Sequence, residues 1–255
     1  MVGNLGSVSF TLDSIKLPPK GASCFVAGTL VHTREGLVPI ERIKVGDWVL
    51  SKPQSGEGEP NYKQVKKTFR SENQEVMFVE IIPIAELERA KKIQKEIQGK
   101  EGLSTLIRNE MKQYLVATPN HPFWVNEVGW LEASEIDPSD NLEVQLVTGE
   151  PAYMGEGHRG SLYQTQITEG VVWFEFYDMH GYGMIPVDLR HGEPQADINW
   201  SALQPQPDSE MGQGYPETEL RQTVYNLEVV DYDTYYVGRM GVWVRNCDLS
   251  EYKGQ

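Results

Sequence analysis

Short apolar segments alternate with turns from Cys24 onward, and this alternation constrains the fold more than any other feature of the sequence. The first three segments lie at 24–33, 37–40 and 48–50, separated by turns at 35–36 and 45–47. Similar segments recur at 75–82, 114–118, 123–125, 142–147, 224–230, 234–237 and 241–244. Short strands with a turn every roughly 8–12 residues are typical of compact all-β proteins. We therefore predict an all-β fold.

Two regions depart from this pattern. The first region, residues 84–113, is predicted to be a helical insertion. Apolar residues at its start fall at helical spacing; they are Ile84, Leu87, Ala90, Ile93 and Ile97. Residues 150–222 contain nine Gly, six Pro, twelve acidic residues, three Arg and no Lys, so this region carries −9 of the chain's net charge of −14. We predict an acidic, loop-rich insertion here, with one or two strands at 170–177 and 183–189.

The overall composition excludes several classes of protein. Of the 255 residues, 39% are hydrophobic and 24% charged, which is typical of a folded chain rather than a disordered one. No run of about 18 apolar residues occurs, so we predict no membrane span. The acidic balance argues against binding to nucleic acid, because phosphates repel such a surface. The N-terminal residues lack a signal peptide, so we expect a protein that is cytoplasmic at synthesis; whether its precursor is then secreted stays open.

The chain contains two cysteines, Cys24 and Cys247, one near each end. Two cysteines cannot supply a CxxC zinc site or a disulfide framework, and on their own they are most simply buried thiols or one long-loop bridge. Histidines and aspartates within the acidic insertion match no zinc spacing; they are His158, His180, His191, Asp178 and Asp188. We therefore expect no metal and no cofactor.

Three motifs change the interpretation of these cysteines. The chain reads CFVAGTLV at 24–31, TPNHPFW at 118–124, and VYNLEV followed by GVWVRNC within 224–247. In this order, with a cysteine at one boundary and Asn-Cys at the other, the motifs closely resemble the hedgehog/intein (Hint) family of self-processing domains. The likeness is strongest to the bacterial intein-like domains of polymorphic-toxin precursors. It extends over roughly 24–49, 114–147 and 224–247, under half of the chain.

The resemblance implies a pseudo-two-fold, horseshoe-like Hint fold over residues 24–246, with flanks at 1–23 and 247–255. Its strands would bring the Ser23–Cys24 and Asn246–Cys247 bonds together at one end. The implied partners are the chain's own flanking segments, within a larger, toxin-like precursor, because the nine-residue tail is too short to be a toxin. The acidic insertion is short for a homing endonuclease and has no LAGLIDADG-like segment, so we expect no such enzyme.

The first reaction that the resemblance implies is an N-to-S acyl shift. The Cys24 thiol attacks the adjacent Ser23 carbonyl and converts the amide into a thioester. Because an amide is more stable than a thioester, the site must strain the bond, stabilise the oxyanion and protonate the departing nitrogen. By resemblance, Thr118 is the hydrogen-bond partner of the scissile amide and His121 is the general acid. The ordinary pKa of histidine suits that role.

The second reaction is cyclisation of Asn246. Its side-chain nitrogen attacks its own carbonyl, cuts the Asn246–Cys247 bond and leaves a succinimide. If Cys247 first accepts the acyl group from Cys24, the flanks become joined, which is splicing. If water or another nucleophile accepts it, the flanks are only cleaved.

Two residues depart from the family pattern. Arg245 stands where the family usually has a histidine that assists cyclisation; a guanidinium can donate hydrogen bonds to the Asn246 carbonyl but cannot shuttle a proton. Asp233 stands where a histidine is also common, and Asp233 or Asp231 is a candidate for activating a thiol or binding a water. These departures support an alternative, a decayed, non-processing Hint domain that acts as a structural or interaction module. A third hypothesis is a disulfide clamp between Cys24 and Cys247.

Overall fold

Antiparallel β-strands dominate the computed structural model, which describes residues 23–155, 162–164, 171–178, 181–189, 195–196 and 220–246. The predicted all-β fold is confirmed. The strands in the described part of the chain are β1 (Phe25–Val26), β2 (Leu30–Thr33), β3 (Gly36–Pro39), β4 (Trp48–Ser51), β5 (Asn61–Glu75), β6 (Met77–Pro83), β7 (Gln113–Ala117), β8 (Pro122–Val125), β9 (Gly129–Glu132), β10 (Glu143–Gln145), β11 (Pro151–Gly155), β12 (Leu162–Gln164), β13 (Val171–Asp178), β14 (Gly181–Asp188), β15 (Gln195–Ala196), β16 (Arg221–Val229), β17 (Thr234–Val237) and β18 (Val242–Arg245). The helices are α1 (Ile84–Glu96) and α2 (Leu103–Leu106), with 3-10 turns at Ile40–Arg42, Asn109–Met111, Ala133–Glu135 and Pro138–Asp140.

Fourteen of these strands form one extended sheet, in the order β10-β11-β6-β7-β1-β16-β5-β4-β2-β17-β18-β8-β9, with β3 paired to β2. The central core lies along this sheet, where apolar side chains from β1, β7, β8, β16, β17 and β18 pack together. No helix in the described part of the chain is long and apolar enough to span a membrane.

The short strand β1 lies between β7 and β16, and its register positions the rest of the site. Phe25 pairs with Ala117 of β7 on one side and with Tyr225 of β16 on the other, both antiparallel. One residue earlier, the chain at Cys24 therefore has the residue after Ala117 on one side and the residue after Tyr225 on the other.

The C-terminal end of the predicted domain lies on a hairpin formed by β17 and β18. Thr234 pairs with Arg245, and the backbone N–H of Asn246 donates a 2.8 Å hydrogen bond to the carbonyl of Asp233. At the other end of the hairpin, the guanidinium of Arg239 donates to the carbonyls of Glu110 and Lys112. The hairpin is therefore fixed at both ends.

The helical segment predicted after residue 84 is present as α1, followed by α2. Glu86 of α1 is buried and accepts hydrogen bonds from Arg89, at 2.5 and 2.8 Å, and from Arg108. The Arg89 guanidinium lowers the pKa of the Glu86 carboxyl well below its usual range. This ion-pair cluster ties the helix to the chain that leads into β7.

The acidic region contains more strand than we predicted. Strands at 170–177 and 183–189 were expected, and the structure has β13 and β14 there; the described residues add β11, β12 and β15. Strand β11 joins the large sheet through β6, because Ala152 and Met154 alternate into the core. Strands β12 to β15 form a separate four-stranded sheet. The expectation of one or two strands was therefore too low.

Candidate active site

The register of β1 brings Thr118, at the end of β7, and Asn226, within β16, to opposite sides of Cys24. Cys24 and Thr118 are joined by two hydrogen bonds. The backbone N–H of Cys24 donates to Thr118 Oγ1 at 2.9 Å, and the backbone N–H of Thr118 donates to the carbonyl of Cys24 at 2.9 Å. Both residues are buried, with 0% and 2% of their surface exposed. The predicted contact between Thr118 and the amide nitrogen of the Ser23–Cys24 bond is therefore present.

Asn226 holds the other side of the same peptide bond. Its side-chain Nδ2 donates a hydrogen bond to the carbonyl oxygen of Ser23. This is the oxygen that would carry negative charge if the Cys24 thiol attacked the Ser23 carbonyl. A buried N–H donor aimed at that oxygen can stabilise an oxyanion.

The orientation of the Asn226 amide is fixed by its remaining neighbours. The backbone N–H of Leu227 donates to Oδ1 at 2.7 Å, and the Tyr235 hydroxyl donates to the same atom at 2.6 Å. Because a backbone N–H can only donate, the accepting atom must be the amide oxygen, and Nδ2 must point the other way. Nδ2 also donates to Asn246 Oδ1 at 2.8 Å, so all four hydrogen-bonding positions of this amide are used.

His121 lies in the turn between β7 and β8, and its ring is fully buried against Phe25, with the ring centroids 4.1 Å apart. Its backbone N–H closes the turn by donating to the carbonyl of Thr118 at 3.0 Å. Its Nδ1 is 3.4 Å from Ser23 Oγ, and Nε2 has no hydrogen-bond partner in the described part of the chain. The structure therefore places His121 beside the predicted cleavage site.

Burial lowers the proton affinity of His121 below what we expected from the sequence. Loss of hydration lowers the pKa of His121 to about 3, and a backbone interaction with Ser23 only partly opposes this. The imidazole is therefore neutral at neutral pH. It has to accept a proton before it can act as a general acid, and its lowered pKa differs from the ordinary value that the sequence analysis assumed; the general-acid role stays a prediction.

Asn246 lies at the end of β18, within hydrogen-bonding distance of Asn226. Because Oδ1 of Asn246 accepts from Asn226, its Nδ2 is the atom available for attack on its own carbonyl. Asp233 contacts Asn246 through its backbone carbonyl and has a positive φ of 50°. The alternative carboxylate, Asp231, is exposed and pairs with Lys63 at 2.7 Å.

Arg245 points into a cluster of tryptophans. Its guanidinium carbon is 5.3 Å from the ring centroid of Trp130, and that ring contacts Trp124 and Trp243 at 5.2 and 4.9 Å. The buried Nε of Arg245 has no hydrogen-bond partner among the described residues. A hydrogen bond from Arg245 to the Asn246 carbonyl stays a prediction.

Several predicted features lie outside the described residues. Cys247 is one of them, and so are His158, His180 and His191. Within the described part of the chain, no group of three His, Cys, Asp or Glu side chains is placed to hold a metal ion.

Two residues of the site were missed by the sequence analysis. Asn226 stood in the quoted VYNLEV segment and Tyr235 lies between that segment and GVWVRNC, but neither was assigned a role. A signal was present for Asn226, because a polar amide interrupts the apolar positions of a strand, and buried amides need several partners. No comparable signal marks Tyr235.

Comparison with solved structures returns inteins and an intein-like domain. A bacterial intein-like domain from Clostridium thermocellum is 21% identical, with 89% of this chain and 100% of that domain covered and a TM-score of 0.48. The gp41-1 intein is 12% identical, with 89% and 100% covered and a TM-score of 0.42. A DnaB intein from Synechocystis sp. PCC 6803 is 8% identical, with 89% and 99% covered and a TM-score of 0.43.

These proteins are of the kind that the three sequence motifs resemble. The polymorphic-toxin type stays a prediction. No protein-family model matches the chain, and no curated protein matches it.

Proposed function

We propose that this chain is an autocatalytic self-processing domain that rearranges the Ser23–Cys24 bond and cleaves at Asn246. Its substrates are its own flanks, 1–23 and 247–255 or longer segments in a toxin-like precursor, and the processing domain extends over 24–246. The output is cleavage or splicing of those flanks. The motifs and the site geometry support this proposal together.

One observation carries the proposal. Both sides of the Ser23–Cys24 peptide group are held by side chains, the N–H by the hydroxyl of Thr118 and the carbonyl by the amide of Asn226. An ordinary strand would satisfy these groups with backbone partners from its neighbours. An acyl shift requires a thiol next to a peptide bond whose N–H and carbonyl are held in place. These two side chains hold both groups of this buried bond.

The first step uses these two contacts. We infer that the Cys24 sulfur attacks the Ser23 carbonyl carbon and that its proton is transferred to the imidazole of His121, which lies beside Ser23. The negative charge on the Ser23 oxygen is stabilised by Nδ2–H of Asn226. When the C–N bond breaks, His121 returns the proton to the Cys24 nitrogen, which leaves a Ser23 thioester and an α-amine. Because its pKa is lowered, His121 holds this proton only briefly and is then a strong acid towards the departing nitrogen.

The second step uses the same amide. Asn226 holds Oδ1 of Asn246, which orients Nδ2 of Asn246 for attack on its own carbonyl carbon. Ring closure forms the succinimide and releases the α-amine of Cys247. Arg245 supplies positive charge nearby, but it does not exchange a proton at neutral pH. We therefore expect this step to be slower than the first.

The alternative function, a decayed domain that serves as a structural module, is favoured by one observation. The Arg245 guanidinium packs against the Trp130 ring, whereas a histidine at this position would assist the cyclisation of Asn246. This observation concerns the Asn246 step alone. It leaves the groups around Cys24 complete.

Intact-mass spectrometry of the purified full chain tests the proposal. We expect species that have lost residues 1–23, residues 247–255 or both, and a ligated 1–23/247–255 peptide if splicing occurs. Cys24→Ala should abolish the first loss and Asn246→Ala the second. Thr118→Val should slow the first loss about tenfold or more, because the scissile amide loses a partner.

Thr29→Val is the matched control for Thr118→Val. Thr29 is also a buried threonine, and its hydroxyl donates to the carbonyl of Val26 at 2.9 Å, away from the scissile bond. If both threonine variants slow the reaction equally, the effect is on folding and the assigned role of Thr118 is wrong. An unchanged full-length mass over days would favour the decayed-module alternative. A mobility shift on reduction without loss of mass would favour the disulfide clamp.

A further inference from the structure

The acidic insertion has no part in the proposed chemistry, but one of its hairpins shares an apolar cluster with the nucleophile. Strands β13 and β14 form this hairpin, which we call the covering hairpin. Its residues Val172 and Val187 belong to the same apolar cluster as Cys24. The cluster also includes Val26, Val76, Phe78, Val116, Leu220 and Val224.

The two valines face the cluster as a pair. Val172 lies directly opposite Val187 in the antiparallel register, so both side chains project from the same face of the hairpin. Val172 is 2% exposed, Val187 is 0% exposed and the Cys24 side chain is 0% exposed. The neighbouring pair, Val171 and Asp188, projects from the opposite face.

The rest of the cluster comes from strands of the large sheet and from Cys24, Val76 and Leu220, which immediately precede three of them. Residues of β1, β6, β7 and β16 lie in that sheet, whereas the two valines are contributed by the separate four-stranded sheet. Side chains inside an apolar cluster that two sheets share are shielded from solvent by both sheets. Removing the valines from the cluster would leave the Cys24 side of the large sheet with less apolar cover.

We propose that the covering hairpin biases which nucleophile takes the acyl group from Cys24, by slowing the access of bulk water and external thiols to it. This inference rests on the proposed function. In the thioester state, water would give a Ser23 carboxylate and regenerate the Cys24 thiol. An external thiol would give a new Ser23 thioester and the same Cys24 thiol. With both slowed, the acyl group passes mainly to a nucleophile of the chain itself.

The cover can be tested without any processing, by the alkylation of Cys24. In a Cys247→Ser, Asn246→Ala background Cys24 is the only thiol, and iodoacetamide labelling of the full chain is followed by intact mass. We expect Val172→Ala and Val187→Ala to accelerate labelling about tenfold or more, because each opens a gap in the cover. Val171→Ala is the matched control, a buried valine on the same strand and the opposite face, and should change labelling less than about twofold.

Global unfolding is separated from local opening by repeating the labelling in low concentrations of urea. Local opening of the hairpin exposes little surface, so its rate should depend weakly on urea, whereas labelling through global unfolding should follow the full unfolding slope. Equal labelling rates in the parent, Val172→Ala, Val187→Ala and Val171→Ala would overturn the cover. So would a full unfolding slope for the accelerated variants.

A second arm addresses the fate of the acyl group in the otherwise unaltered chain. With dithiothreitol added, Val187→Ala should increase the yield of residues 1–23 released as the thiol adduct, relative to the parent. An unchanged ratio of thiol adduct to chain-transferred product would overturn the selectivity claim. If no variant processes at all, the proposed function fails, and the labelling rates still decide whether the hairpin covers Cys24.

Discussion

Asn226 Nδ2 and Asn246 Oδ1 are joined by a 2.8 Å hydrogen bond, although they lie on different strands, and the same Nδ2 also donates to the carbonyl oxygen of Ser23. One buried amide therefore contacts the carbonyl of the Ser23–Cys24 bond and the side chain that would attack at the Asn246–Cys247 bond. The Ser23–Cys24 and Asn246–Cys247 bonds were expected to meet at one end of the fold. We did not predict that Asn226 would contact both Ser23 and Asn246.

Replacement of Asn226 should impair the first step most. Asn226→Ala removes the donor to the Ser23 oxygen and should slow release of residues 1–23 about 10²–10³-fold, as measured by intact mass over time. Asn226→Asp should be equally slow at neutral pH, because an ionised carboxylate cannot donate and repels the two oxygens that it faces. Its rate should rise as the pH falls and the carboxyl becomes protonated. A rate in Asn226→Ala equal to that of the parent would remove Asn226 from the mechanism.

Tyr235 should act by holding Asn226 in place. Tyr235→Phe deletes the hydroxyl that donates to Asn226 Oδ1, so the amide can rotate away from the Ser23 oxygen. We expect about tenfold slower release of residues 1–23 and a loss of about 1 kcal/mol in the free energy of unfolding. Tyr236→Phe is the control, since Tyr236 is also buried and follows Tyr235 on the same strand. The same slowing in both variants would indicate a general effect on β17.

The neutral state of His121 predicts how stability depends on pH. The pKa of His121 falls to about 3 on folding, whereas the unfolded chain binds its proton near pH 6.5. Between these values the unfolded state holds more protons, so the free energy of unfolding should decrease as the pH falls, by up to about 1.4 kcal/mol per pH unit.

Chemical denaturation at pH 7, 6 and 5 measures this effect. His32, which is partly buried and has a lowered pKa, contributes in the same direction, so the comparison needs His121→Gln and His32→Gln in parallel. The slope should flatten more in His121→Gln than in His32→Gln. The reverse order would contradict a neutral, buried His121.

Arg245 should limit the Asn246 step. Arg245→His supplies a group that can exchange a proton at neutral pH, and we expect loss of residues 247–255 to accelerate about tenfold or more. The background is Cys24→Ala, so that the first step does not contribute to the measurement. Arg245→Lys keeps the positive charge without this capacity and should give no acceleration. Acceleration by lysine as well would attribute the effect to release of the Trp130 contact.

Much of the site could be predicted because its residues lie within motifs. Cys24, Thr118 and His121 are brought together by β1 and β7, and the helix beginning at Ile84 follows from its apolar spacing. The long strand β5 was not predicted, because its surface is charged and only Val65 among its residues is buried. Its pairing with β16 supplies the stability that its own sequence does not indicate.

Other properties depend on contacts that a sequence does not contain. The lowered pKa of His121 results from burial against Phe25 and its neighbours, and the covering position of Val172 and Val187 results from contact between two sheets. Asn226 was visible as a polar residue in an apolar strand. Its two roles became apparent only when the partners of both amide atoms were known.

The most direct test of the central claim is the capture of the thioester in Asn246→Ala, where the second step cannot contribute. The full chain is incubated at neutral pH with and without dithiothreitol and examined by intact mass. The account predicts that residues 1–23 leave as a dithiothreitol adduct, only when the thiol is added, and not in Cys24→Ala, Asn246→Ala. An unchanged full-length mass in dithiothreitol, or release that persists without Cys24, would contradict it.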